Sequence, residues 1–433
     1  MIAFLAEINV SILLFGSLVV LLVLGMPIGH ALGAATLLLL YAQGIPGVFL
    51  PQTAFNATDS FPLVAVPFFV LAGYLMEFGG LSQRLVNLAS AVIGNATGGL
   101  ASVTILACMF FAAMSGSGPA TVAAIGTLMI PAMIRAGYDR AFAGAVSSTG
   151  GTLGIMIPPS NPMIIYGVVA NVSVTQLFIA GVVPGVLTGV VLIAASWWLC
   201  RRYGYTSGAA PTSGARLLRA VIDARWALFA PVIVLGGIYG GVFTPTEASV
   251  IAAIYGLIVG LFVYRQLDAK KIYKALLNAV LVGGSVTIIV GLASGFGRLL
   301  TQYQIPQELA SFTLGLSQNP FVVLMLINIG LIIIGTFMET LATIVLLTPI
   351  LLPLVVALGV DPIHFGILLV ITSEIGFLTP PLGVNLFVAM GIARVTIEQI
   401  SRAVVPYIIV LTLVTVLLTA FPIISLGLPK LLR

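Results

Sequence analysis

Apolar runs long enough to cross a bilayer, about 20 residues each, follow one another along nearly the whole chain with only short polar segments between them. By that length rule the chain holds roughly ten spans or re-entrant pairs. In hydrocarbon a helix satisfies its own backbone, so the pattern predicts an all-α polytopic membrane bundle. The first run, Ile8 to Leu24, follows Glu7 rather than a basic leader and lacks a small-residue cleavage site. It is therefore expected to stay in the mature protein.

Composition excludes the soluble classes. Of 433 residues, 60% are hydrophobic and 7% charged, too few polar side chains to cover a water-facing surface. Cys108 and Cys200 lie far apart with no metal-type spacing, so neither a disulfide framework nor a zinc site is expected. The net charge of +5 resides in short basic segments, as the positive-inside rule requires. It marks topology and does not indicate nucleic acid.

The chain also repeats itself. At a shift of 222 residues it matches without a gap from Ala120 to Pro184. Pro131, Gly137, Gly144, Gly154, Pro158, Pro159 and Pro184 fall on Pro353, Gly359, Gly366, Gly376, Pro380, Pro381 and Pro406. Chance at these Gly and Pro frequencies gives about one such match, so the protein is two copies of one unit.

The basic residues orient these copies. Arg201, Arg202, Arg216, Arg219 and Arg225 mark one cytoplasmic loop, and Arg265, Lys270, Lys271 and Lys274 another. Trp226 to Phe243 and Ala248 to Tyr264 then run out and back, with Thr244, Pro245, Thr246 and Glu247 as the outer turn. Ala275 to Gly297 crosses outward, Phe321 to Val356 is a re-entrant hairpin, and Pro362 to Ala393 crosses inward to Arg394 and Arg402. Arg84, Arg135 and Arg140 also fall inside, which makes Cys108 to Ile134 the matching hairpin, entered from the opposite side. Five crossings separate Asp139 from Asp361, an odd number, so the copies are inverted. Of the basic residues only Arg298, Lys430 and Arg433 end outside.

Each copy breaks its span at a Pro-Pro pair. Proline lacks an N–H and its ring clashes with the preceding turn, so carbonyls around Leu153 to Ile157 lose their helical partners. Such groups cost several kcal/mol each in hydrocarbon unless something satisfies them. A small cation does so. In the first copy Ser115, Ser117, Gly150, Gly151, Pro158, Ser160 and Asn161 are expected to frame a cation site, with the Thr121 hydroxyl near it. The absence of a carboxylate in this cluster favours Na⁺ over Ca²⁺. Gly335, Thr336, Thr340, Thr379, Pro380, Gly383 and Asn385 frame the mirror site. Between them an anion is expected beside Gly116, Gly118, Thr121, Thr152, Glu339 and Thr343, where the amides of the hairpin tips offer positive dipole ends.

Blander readings apply to several of these features. Isolated prolines such as Pro231 and Pro349 are ordinary kinks, and Ser115-Gly116-Ser117-Gly118 is equally compatible with close helix packing. Glu339 lies within an apolar run, where a charge defaults to function, though a hydrogen-bonded structural role serves as well. Glu77, Glu374 and Arg298 read as interface or interior polar contacts, His30 and His364 as packing residues, and Trp197-Trp198 as an aromatic belt. There is no ATP-binding loop, protease dyad or voltage-sensing Arg ladder. An ion-coupled transporter remains, with a passive anion channel and a non-transporting assembly subunit as alternatives. Two compact polar clusters favour the transporter over a channel's continuous polar file.

Four segments carry a resemblance over essentially the whole length: Met114 to Thr121 with Ala123 to Gly126, Gly150 to Pro162, Phe243 to Ala248, and Gly376 to Asn385. In these the chain resembles the large membrane subunit of the tripartite ATP-independent periplasmic (TRAP) transporters. The resemblance implies an elevator-type transporter of the bacterial inner membrane, coupled to Na⁺ at sites matching the two clusters and independent of ATP. Its implied partners are a small four-helix membrane subunit, expected as a separate chain, and a periplasmic binding protein delivering an organic acid such as sialic acid or a C4-dicarboxylate. No enzymatic activity is implied.

On this pattern residues 1–59 are N-terminal scaffold helices. Residues 60–200 are repeat 1, with an arm helix, a hairpin at about 108–134, a broken helix at about 141–170 and a following span. Residues 201–274 hold cytoplasmic loops and an inserted scaffold pair. Residues 275–421 are repeat 2, with a hairpin at about 321–356, a broken helix at about 362–393 and the last span. Residues 422–433 form a tail.

Overall fold

The computed structural model describes residues 9–94, 98–205 and 213–432, and every regular element among them is helical. Glu7, Ile8 and Arg433 lie outside the described residues. The N-terminal helices are α1 (Val10–Val23), α2 (Ile28–Ala42) and α3 (Phe49–Thr58). A short 3₁₀ turn, Phe61–Val64, leads into α4 (Ala65–Phe78), and α5 is Leu81–Ile93. Then come the helices of the first hairpin, α6 (Gly99–Ser115) and α7 (Gly118–Arg135), the two halves of a broken span, α8 (Arg140–Met156) and α9 (Asn161–Val169), and the long α10 (Val174–Tyr203). After α11 (Gly214–Tyr239) and α12 (Pro245–Ile258) the second copy runs from α13 (Ala269–Gln302) through α14 (Ile305–Leu316), α15 (Pro320–Gly335), α16 (Thr340–Ala357), α17 (Pro362–Gly376) and α18 (Val384–Ala393) to α19 (Ile397–Ala420). A last helix, α20, is Ile423–Leu431.

The repeat shift holds in three dimensions. Moved by 222 residues, Gly118–Arg135 lands on Thr340–Ala357, the bounds of α16, and α5 to α10 map in order onto α14 to α19. The contacts are reciprocal: α7 packs on α18 and its equivalent α16 on α9, while α8 packs on α19 and α17 on α10. Elements that touch their own equivalents, α8 with α17 and α10 with α19, lie along the relating axis. That reciprocity is the signature of a two-fold relation.

The centre of the molecule is the pair α8 and α17. Every residue from Phe142 to Met156 and from Ile363 to Gly376 is buried. A helix buried on all sides must be small or apolar, or must satisfy its polar groups internally. Here Thr152 Oγ1 donates to the Thr149 carbonyl at 2.7 Å and Ser373 Oγ to Leu369 at 2.7 Å. Eight helices among the described residues are long and apolar enough to cross a membrane, and α8 with α9 makes a ninth span bent by 41°.

Several boundaries differ from the sequence expectation. The first hairpin begins at Gly99, not near Cys108, because Gly98 ends the preceding turn in the left-handed region at φ 69°. Arg216, Arg219 and Arg225 lie on the first turns of α11 instead of a loop, since Ser213 accepts the Arg216 amide and starts that helix early. The outer turn is capped as its Thr-x-x-Glu spacing suggests: Thr244 and Glu247 form a reciprocal capping box at the start of α12. The second copy has its own arm helix, α14, and the expected tail carries the helix α20, Ile423–Leu431. There Ser425 Oγ shares a 2.7 Å hydrogen bond with His364 Nδ1.

Candidate functional site: two broken spans and two hairpin tips

The breaks follow from local chemistry. Pro158 and Pro159 cannot supply the amides that would reach Gly154 and Ile155, so α8 stops with the Ile157 amide on Leu153. Pro380 likewise removes the partner of Gly376, whose carbonyl is met instead by the Thr379 amide at 2.8 Å in a tighter turn. The Pro158–Pro159 and Pro380–Pro381 bonds are both cis.

Each hairpin tip is tied to its own break. In the first copy the Asn161 amide donates to the Gly116 carbonyl at 3.2 Å. Gly116 turns the chain at φ 61°, where a Cβ would stand 3.0 Å from the Pro159 carbonyl oxygen. Ser115 Oγ and Thr121 Oγ1 lie 2.9 Å apart, and Thr121 Oγ1 donates to the Ser117 carbonyl at 2.8 Å. In the second copy the Leu382 amide donates to the Thr336 carbonyl at 2.9 Å. A Cβ on Gly376 would stand 2.4 Å from the Gly335 carbonyl carbon, so α15 and α17 touch backbone to backbone.

Between the tips lies a cavity of about 330 Å³, walled on the far side by Val66, Val70 and Tyr74 of α4 and Val282 of α13. Four helices begin at its rim, at Gly118, Asn161, Thr340 and Val384. Each N-terminus presents amides and about half a positive charge. No lysine, arginine or histidine is among the described residues lining it. The hydrogen-bond donors it offers are therefore backbone amides, hydroxyls and the Asn161 amide.

Ser115, Gly116, Ser117, Gly118, Asn161, Glu339 and Thr340 all line this cavity. Asn161 Oδ1 and Asn385 Oδ1 are buried acceptors without a hydrogen-bond donor, one in each copy beside each break. Ser160 Oγ caps α9 by accepting the Met163 amide, and Gly383 starts α18 at φ 35°. The expected residues Gly150, Gly151, Pro158, Ser160, Thr121, Thr152, Gly335, Thr336, Thr343, Thr379, Pro380, Gly383 and Asn385 lie outside the lining. A Cβ on Gly150 would meet Cys108 Sγ at 2.7 Å, and one on Gly151 would meet Val122 Cγ2 at 2.2 Å, so both keep α8 close to the hairpin. Thr336, Thr343 and Thr379 return their hydroxyls to their own helices.

Glu374 was not among the expected site residues. It is fully buried and lines the cavity. Its Oε2 accepts from Asn385 Nδ2 at 3.2 Å and its Oε1 from Thr340 Oγ1 at 3.4 Å. Of its two sequence readings, interface and interior polar contact, the second holds. The signal that could have found it is its register, because it falls on Thr152 at the repeat shift.

The family profile described as "Tripartite ATP-independent periplasmic transporter, DctM component" matches residues 15–424. The chain is 49% identical over 410 residues to the isethionate TRAP transporter permease protein DctMQ of Oleidesulfovibrio alaskensis, covering 94% of this chain and 65% of that longer one. It is 41% identical over 398 residues to the C4-dicarboxylate TRAP transporter large permease protein DctM of Pseudomonas aeruginosa, covering 92% of each. Among solved structures the Alcanivorax borkumensis YdaH transporter shares the fold, with a TM-score of 0.64, 17% identity and 87% of both chains covered.

Proposed function

Because this chain belongs to the DctM component family of the tripartite ATP-independent periplasmic transporters, we propose that it imports a small organic acid across the inner membrane, driven by Na⁺. The solute is a carboxylate of the sialic acid or C4-dicarboxylate type, or a sulfonate of the isethionate type that the first relative's name carries. A small membrane subunit completes the system, and a periplasmic binding protein delivers the solute.

The observation that supports this most is the pair of orphaned amide oxygens. Asn161 and Asn385 each bury an acceptor beside a proline break, one per inverted copy. An unpartnered buried acceptor is costly, and one beside each break, Asn161 in the cavity wall and Asn385 next to the lining residue Val384, suits a cation in each copy. In the first copy Ser115, Ser117 and Asn161 would hold Na⁺ with carbonyls freed near Gly154. In the second, Asn385 and Thr340 would hold it with the freed carbonyl of Phe377. Na⁺ supplies the charge that lets an anion leave water for the cavity between the tips. The helix N-termini at Gly118 and Thr340 orient that anion, and the walls from α4 and α13 exclude water.

The same arrangement supports an elevator motion. The hairpins and broken spans form one densely packed body about α8 and α17, and the cavity lies where that body meets α4 and α13. Uptake into proteoliposomes holding this chain and its small subunit, with binding protein outside, tests the reading: solute accumulates only with an inward Na⁺ gradient. Accumulation indifferent to Na⁺ would refute the coupling, and high-conductance currents would replace the transporter with a channel.

A further inference from the structure

Three of the basic residues that orient the chain meet in one place. Arg84, Arg219 and Arg225 share a crevice of about 400 Å³ with Asp223, Trp226 and Tyr264. Arg84 belongs to α5, the arm helix of the first copy, and the other two arginines to α11 of the inserted pair. Tyr264 stands just past the π-helical turn Val259–Val263 that extends α12. The positive-inside rule asks only that such residues lie on the cytoplasmic side. It does not ask three guanidinium groups to share one opening with a single carboxylate.

Arg84 is held in place rather than left to water. Its side chain is 17% exposed, its Nη1 donates to the Gly80 carbonyl at 2.8 Å, and its Cζ lies 3.5 Å from the centroid of the Tyr264 ring. Its Nε is buried without a hydrogen-bond acceptor, with Asp223 Oδ1 standing off at 3.7 Å. Arg225 lies over the Trp226 ring, and among the described residues neither Arg219 nor Arg225 belongs to an ion pair. One carboxylate against three guanidinium groups leaves two positive charges unanswered. Guanidinium groups backed by aromatic rings suit phosphate, which they meet with paired N–H donors.

The rim of the crevice indicates the source of that phosphate. Leu218, Ile222, Trp226 and Phe229 are exposed at successive turns of α11, and Phe262 and Val263 are exposed beside Tyr264. This apolar strip leads from the arginines along the span, and Trp226 marks headgroup depth. A free phosphate would use the arginines and leave the strip bare, whereas a phospholipid covers both. We propose that the crevice binds the phosphate of an anionic phospholipid, with the acyl chains lying along α11. The lipid thereby ties the arm helix α5 to the inserted pair. A zwitterionic headgroup brings its own cation and leaves the two surplus charges unmet, so the site selects a net negative lipid. The proposal is independent of the Na⁺-coupled reading.

The test is thermal unfolding of the purified chain in neutral detergent, with phosphatidylglycerol, phosphatidylcholine or inorganic phosphate added. Phosphatidylglycerol raises the melting temperature by a few degrees, and the other two at the same concentration do not. The double variant Arg219→Gln/Arg225→Gln needs about tenfold or more lipid for the same rise. Arg201→Gln/Arg202→Gln, which removes two exposed arginines beside Trp197 and Trp198, is matched in charge and keeps the wild-type rise. An equal lipid dependence in both double variants overturns the proposal, because the effect is then bulk electrostatics. A rise of the same size with phosphatidylcholine overturns it as well, and one with inorganic phosphate overturns the lipid source. A rise that disappears when the small membrane subunit is bound assigns the crevice to that chain and overturns the lipid reading. If the double variant is not monodisperse, Arg219→Gln alone takes its place, and an unchanged lipid dependence there overturns the proposal equally.

Discussion

The hydroxyl of Tyr166, in the second half of the first broken span, donates a 2.6 Å hydrogen bond to the carbonyl of Pro362, where the second broken span begins. Its ring fills the space over Gly366, where a Cβ would stand 2.3 Å from Tyr166 Cε1. This contact joins the two copies at the buried α9–α17 crossing. Tyr166→Phe leaves the Pro362 carbonyl without its donor and is expected to cost about 1–3 kcal/mol. Gly366→Ala is expected to cost a similar amount, about 1–3 kcal/mol, by overpacking the ring. Thermal unfolding in detergent measures both, and a double variant with additive losses would show that the hydroxyl's bond and the glycine's clearance act independently.

Asn161 and Asn385 separate ion binding from stability. Asn161 Oδ1 accepts no hydrogen bond, so Asn161→Ala strips no donor of its acceptor. Its melting temperature without Na⁺ should stay close to wild type, while the rise on adding Na⁺ shrinks. Asn385 also donates to Glu374, so Asn385→Ala should lose both, including about 1–3 kcal/mol of baseline stability from a bereft carboxylate. Equal Na⁺-induced shifts in all three proteins would remove both side chains from the site.

Gly154 tests whether the hairpin tip must sit tight on its broken span. A Cβ there would lie 2.4 Å from the Ser117 carbonyl oxygen and 2.5 Å from Thr121 Oγ1. The tip has to retreat, so Gly154→Ala should add about 1–3 kcal/mol of strain and raise the Na⁺ concentration for half-maximal uptake about tenfold. Gly284→Ala, on α13 with nothing within 4 Å of its Cβ, is the control and should transport as wild type. Wild-type Na⁺ activation in Gly154→Ala would show that the tip tolerates displacement.

The outer turn carries a pH dependence of definite sign. The amide and hydroxyl of Thr244 donate to Glu247 at 2.8 and 2.9 Å and hold its carboxyl below the usual carboxylate range. A group depressed on folding stabilises above its unfolded pKa, about 4.3, and loses that contribution as pH falls through the folded value. Glu247→Gln should therefore melt below wild type at neutral pH and converge with it in acid. Thr244→Ala should lose about 1 kcal/mol at neutral pH through the missing cap. A gap between wild type and Glu247→Gln that stays constant with pH would contradict the capping box.

Orientation is open to direct chemical test. Cys108 and Cys200 are both buried, so an introduced thiol is read against a low background. Val242→Cys, 69% exposed at the turn before α12, should react with an impermeant maleimide added to intact spheroplasts. Ala269→Cys, exposed at the start of α13, should react only in inverted vesicles. The opposite pattern would invert the derived topology.

What the sequence determined by itself is everything governed by short-range covalent chemistry. Proline has no amide wherever it stands, so each Pro-Pro pair strips two successive hydrogen bonds from its span where a single proline only kinks one, and the repeat shift shows that both breaks belong to one duplicated design. Spans, the outer turn at Thr244 to Glu247 and the membrane class followed from composition and spacing. The tertiary structure alone decided which polar groups meet. Glu374 read equally as an interface or an interior contact, because its hydrogen-bond partners, Asn385 and Thr340, come from two other elements, 11 and 34 positions away. The clearance that Gly150 and Gly151 leave for Cys108 and Val122 also shows only in the packed structure. Those outcomes depend on which helices meet in the folded chain, within each copy and between the two, a long-range geometry for which no local pattern carries a signal.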